Sequence, residues 1–72
     1  MMHREYLLEW RDLFGHAALT ATRMEGKHVH MLFLLEEGES RDDCEDRAKR
    51  YVDTATQALN ELRERRRDNA EK

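Results

Sequence analysis

The sequence predicts an α+β fold in the order α-β-β-α, a β-hairpin packed on two helices, assembled as a dimer. Three observations predict it. Apolar residues recur at helical spacing between Tyr6 and Phe14; an apolar block, His28 to Leu35, follows a stretch of small residues across a glycine turn; and a long periodic segment starts at a capping signal around Ser40. The alternative arrangement is an all-α helical hairpin forming a dimeric four-helix bundle. All 72 residues make one small domain, and a chain this short buries only roughly 60% of the surface its unfolded form exposes, which favours company.

The first helix is expected over residues 3–14. Tyr6, Leu7, Trp10, Leu13 and Phe14 fall at i, i+1, i+4, i+7 and i+8, on one helical face, while Glu5, Glu9, Arg11 and Asp12 point away. Gly15 then stands where a left-handed helix cap belongs. The aromatic stripe of Tyr6, Trp10 and Phe14 reads first as core and second as a protein-binding groove.

Residues 16–36 are expected to form the hairpin, with Met24-Glu25-Gly26 as a three-residue loop whose glycine takes the left-handed bulge position. That loop opposes Arg23 with Lys27, Thr22 with His28, Ala21 with Val29, Thr20 with His30, Leu19 with Met31, Ala18 with Leu32 and Ala17 with Phe33. Ala17, Leu19, Ala21, Val29, Met31, Phe33 and Leu35 then share one apolar face. Leu32 and Leu34 fall on the opposite face, beside Thr20, Thr22, His28 and His30. Continuing the first helix to Met24 instead places Gly15 inside it, at about 1 kcal/mol relative to alanine, and leaves the apolar block unexplained.

A second helix is expected over residues 40–67, opened by Ser40 and Asp43 as a capping box and presenting Cys44, Ala48, Tyr51, Val52, Ala55, Leu59 and Leu62 inward. Residues 68–72 form a frayed tail, since only Ala70 among them is apolar. Acids crowd the front of this helix and bases its end. Residues 36–46 hold seven acids against Arg41, and residues 63–67 hold four arginines against Glu64, a polarity that complements the helix dipole.

Composition narrows the function classes. Charged residues are 40% of the chain, with a net charge of −3, so no overall positive field draws it to nucleic acid. The longest apolar run, Met31 to Leu35, is far short of the ~20 residues of a spanning helix, so no membrane partner is expected. A lone Cys44 and the lack of a leader-like N-terminus point to the cytoplasm. Compact chains of this charge density fit the small host-directed inhibitors of phages, an association no single residue demonstrates.

Candidate chemistry is sparse. No catalytic residue set is present, so no enzyme activity and no cofactor are expected. His28 and His30 are weak metal candidates, two apart on a strand with His16 at the far end of the same face, but a structural zinc site needs four ligands. Cys44 opens a helix, which lowers a thiol pKa, yet Asp42, Asp43, Glu45 and Asp46 surround it and oppose a thiolate. The acids Glu36, Glu37, Glu39, Asp42 and Asp43 lack the ligand order of a calcium loop. The expectation is therefore a non-enzymatic protein-binding regulator, inhibitor or adaptor, partnered by itself as a homodimer and by a target protein. Its partner-binding residues are Leu32, Leu34, Trp10 and Tyr51. The alternative is a nucleic-acid-binding dimer using Arg63, Arg65, Arg66 and Arg67, disfavoured because Glu61, Glu64, Asp68 and Glu71 interleave with them.

Overall fold

A computed structural model describes the backbone of residues 1–70 and side chains as far as Arg67. Strands β1 (Met2–His3), β2 (Tyr6–Leu13), β3 (His16–Arg23) and β4 (His28–Leu34) form one antiparallel sheet in the order β1-β2-β3-β4, followed by the helix α1 (Arg41–Ala70). The fold is α+β, but the helix expected over residues 3–14 does not form, nor does the all-α alternative.

The reason lies in a sequence that satisfies two periods. Tyr6, Leu8 and Trp10 alternate as a half-buried strand requires, and Tyr6 and Leu8 are both 2% exposed, while Glu9 and Arg11 face away. What tips the balance is the turn. Phe14 (φ 52°) and Gly15 (φ 84°) are both left-handed, as a two-residue type I′ hairpin requires, so β2 folds back on β3 from Leu13↔His16 to Tyr6↔Arg23. Gly15 is thus a hairpin residue, not a helix cap, and Phe14, expected in a core stripe, is fully exposed at the tip.

The β3–β4 hairpin is present with a shifted register. Leu19 opposes Phe33 and Ala21 opposes Met31, two residues from the expected pairing: the loop spans Met24 to Lys27, one residue longer than expected, with Gly26 (φ 83°) and Lys27 (φ 54°) both left-handed, and a bulge adds the second residue. A shift of two preserves side-chain parity, so Leu19, Ala21, Met31 and Phe33 keep the face assigned to them. Between Ala21 and Thr22 the register slips by one, leaving His30 as the extra residue of a bulge. Beyond it Val29 opposes Thr22 and turns to the outer face, 54% exposed rather than in the core.

The core is one layer of sheet against one line of helix. Tyr6, Leu8, Leu19, Ala21 and Phe33 meet Cys44, Ala48 and Val52, which follow one another at i, i+4 and i+8 and are wholly buried. These small side chains let α1 sit low over β3 and β4. Of the other expected inward residues, Ala55 and Leu59 are half-buried, whereas Tyr51 and Leu62 are exposed. The reason is length: thirty helical residues span about 45 Å, against about 27 Å for an eight-residue strand, so the C-terminal third of α1 projects past the sheet.

The helix begins as its sequence predicts, the Asp43 amide donating to Ser40 Oγ at 3.1 Å. It runs on through Ala70, beyond the expected end at residue 67; of the expected frayed tail, residues 71–72 lie outside the described residues. Arg47 ties the β4–α1 connection together. Its guanidinium donates to Glu39 Oε2 (3.1 Å) and Oε1 (3.0 Å) and to the Leu34 carbonyl (2.8 Å). That pairing holds the Glu39 carboxyl below its ordinary range.

Candidate protein-binding surface

The outer face of the sheet follows from the register. Rows across it read Arg11, Ala18, Leu34; then Glu9, Thr20, Leu32; then Met2, Leu7, Thr22, Val29. α1 covers the other face, so Met2 (54%), Val29 (54%), Leu32 (49%) and Leu34 (52%) stay half exposed. In the middle of β2 and β3 the face is polar and self-neutralising: Thr20 Oγ1 donates to the Glu9 carbonyl (3.1 Å) and accepts from Arg11 Nε (3.3 Å), and Glu9 and Arg11 offset each other's charge. Along β4 it is apolar. The result is an amphipathic surface whose greasy half lies on the edge strand.

That edge is chemically open. The Leu35 amide donates to the Ala17 carbonyl, so by antiparallel alternation the backbone groups of Leu32 and Leu34 point away from β3. Edge strands are ordinarily blunted by charge or proline, and residues 29–35 contain neither. The guards present are the bulge at one end and Arg47, which occupies the Leu34 carbonyl, at the other.

Leu32 and Leu34 therefore share the outer face, as the sequence predicts. The two other expected partner-binding residues do not join them. Trp10 lies on the inner face, half-buried, its indole N–H donating to Glu45 Oε1 at 3.0 Å and its ring covered by the Arg41 guanidinium 4.5 Å from the centroid. Tyr51 stands on α1 beside the β4 edge, exposed, its ring 5.6 Å from that of Phe33, next to an open depression shared with Arg47, Arg50 and Thr54. Arg63, Arg65, Arg66 and Arg67 are exposed on the projecting helix, where Arg63 reaches Glu25 at 3.8 Å.

Phe14 is the residue that helical periodicity hid. An aromatic side chain in full solvent, on a left-handed residue where asparagine or glycine is easier, is unfavourable for folding twice over. The signal was Phe14-Gly15 lying between two runs that each alternate.

The histidines are occupied or dispersed. His30 Nδ1 pairs with the Tyr6 hydroxyl at 3.3 Å, the rings edge-to-face at 5.7 Å, and His3 Nε2 meets Asp53 Oδ1 at 2.8 Å. His16 sits at the opposite end of the hairpin. Among the described residues no group of three or more His, Cys, Asp or Glu side chains comes together to hold a metal. Arg4 and His3 depress the Asp53 carboxyl below its ordinary range. Burial, reinforced by Glu39, raises the Cys44 thiol, which keeps it protonated and unreactive inside the core. No described helix is long and apolar enough to cross a membrane. Comparison with protein-family models, curated proteins and solved structures finds no match to this chain.

Proposed function

We propose that this protein is a non-enzymatic protein-binding module, a small regulator, inhibitor or adaptor, that works as a homodimer and engages a target protein through the outer face of its sheet. One observation carries this reading: Val29, Leu32 and Leu34 form an exposed apolar band that no element among the described residues covers. The complementary surface is apolar and of low net charge, because Glu9 and Arg11 cancel within the face. Phe14 adds a separate exposed apolar group at the β2–β3 turn, past the end of the strands.

The test places a photoreactive leucine at Leu7 or Leu34, with Leu62 as a control remote from the sheet. The reading expects one foreign protein cross-linked from both sheet positions, and purified binding to that protein lost in Leu32→Glu but kept in Leu62→Glu. Adducts of the chain with itself alone, or a partner equally well bound by Leu32→Glu, overturn it.

A further inference from the structure

We infer that the second copy docks along β4, pairing the two edge strands antiparallel about Leu32 into one eight-stranded sheet and laying the two α1 helices side by side in opposite directions. This rests on the self-association read above and specifies its geometry. Three independent features select it.

Parity comes first. Opposed residues in an antiparallel pair share a face, so the dyad must fall on a residue, and the open backbone groups belong to Leu32 and Leu34. With the dyad on Leu32, its amide and carbonyl exchange both bonds with their symmetry mates, and Met31 faces Phe33 on the inner side. The bulge and the Arg47 cap on Leu34 then bracket a short, defined pairing.

The position of α1 comes next. The helix packs on β3 and β4, towards the open edge. With strands about 4.8 Å apart, the twofold axis brings the helix axes to about 10–14 Å, a little beyond close helix packing at 8–10 Å. Tyr51, Arg47 and Arg50 line that gap, which accounts for an exposed aromatic beside the edge. A twofold perpendicular to the sheet makes the helices antiparallel whatever their tilt to the strands.

Charge completes the choice. The Phe33–Tyr51 contact sets Leu32 level with about residue 53 of α1, near the middle of the helix. On the helix stripe that carries Arg47, Arg50 and Tyr51, Asp43 stands near the start and Arg65 near the end, so Arg65 of one copy runs beside roughly Asp43 of the other. The acidic stretch 36–46 meets the partner's arginine cluster at both ends of the pair. The part of α1 that overhangs its own sheet gains a neighbour by the same operation.

Sedimentation equilibrium of the full chain tests this with two kinds of variant. Leu32→Pro removes an amide that points away from β3, so the protomer fold survives and the dimer is lost. Asp43→Lys and Arg65→Glu each weaken self-association by about tenfold or more, since by symmetry each juxtaposes like charges twice. Mixed in equal amounts, these two variants form a heterodimer in preference to either homodimer. A wild-type chain that is monomeric at 100 µM overturns self-association itself. A wild-type dimer that persists in Leu32→Pro, or charge variants with no preference for each other, keeps self-association and refutes this geometry.

Discussion

Replacing Leu19 and Leu32 by alanine, one at a time, separates the two faces of the sheet. Leu19 is 1% exposed beneath α1, and Leu32 is 49% exposed on the opposite side of the neighbouring strand. Leu19→Ala removes three buried carbons, worth about 2.4 kcal/mol of transfer free energy at about 0.8 kcal/mol each. The void left between Ala48, Val52 and the sheet adds about 1 kcal/mol if some 40 Å³ stays unfilled. A loss of about 3 kcal/mol is a large share of the roughly 4–11 kcal/mol typical of a chain of this length. Leu32→Ala loses about half the transfer contribution and creates no void, so about 1 kcal/mol. Urea unfolding followed by helical circular dichroism reads the difference. At a slope of about 1 kcal/mol per molar the midpoint falls by about 3 M for Leu19→Ala and by about 1 M for Leu32→Ala. Equal shifts would mean that both faces are covered alike, and the one-sided core would be wrong.

Other expected outcomes follow from particular residues. Phe14→Asn suits the left-handed φ of the β2–β3 turn and stabilises the fold by about 1 kcal/mol, seen as a higher melting temperature, with no change in helix content. The Asp53 carboxyl is depressed in the fold, so its contribution is present above the unfolded value near 3.9 and is lost as pH falls through the lower folded value; the melting-temperature gap between wild type and Asp53→Asn therefore narrows on acidification below about pH 4. Trp10 is the only tryptophan, and Arg41→Ala uncovers its ring, shifting the emission maximum to longer wavelength while the unfolding midpoint moves by less than about 1 kcal/mol in equivalent free energy. Cys44, buried and with a raised thiol pKa, reacts with a thiol reagent only as fast as the protein opens, so its rate climbs through the urea transition.

How legible the fold was depended on how far each signal was local. The start of α1 was readable because capping is settled within four residues, and Ser40 accepts from the Asp43 amide, the serine half of the expected capping box. The separation of Leu32 and Leu34 from Met31 and Phe33 was readable because strand parity survives an even error in register. Tyr6 to Phe14 misled because Tyr6 and Trp10 fit both the helical and the strand period, and the choice belongs to β3, which is distant in sequence until the Phe14-Gly15 turn brings it alongside. Nothing local announces the bulge, since His30 is extra only by reference to β3 and finds its hydrogen bond in Tyr6. Trp10 and Tyr51 were assigned to the binding surface from hydrophobicity alone, which does not tell one side of a sheet from the other.

The bulge also makes β4 unequal in its tolerance of length change. Deleting His30 leaves Met31 opposite Ala21, Val29 opposite Thr22 and His28 opposite Arg23, an unbroken ladder with every face as it was, at the loss of one hydrogen bond to Tyr6. Deleting residue 32 or 33 turns the stretch between that point and the bulge over, exchanging core and solvent sides, and deleting Met31 puts His30 in its core place opposite Ala21. In a lineage that varies by insertion and deletion, residue 30 is the position within this strand at which a codon can come and go while the outer surface keeps its pattern.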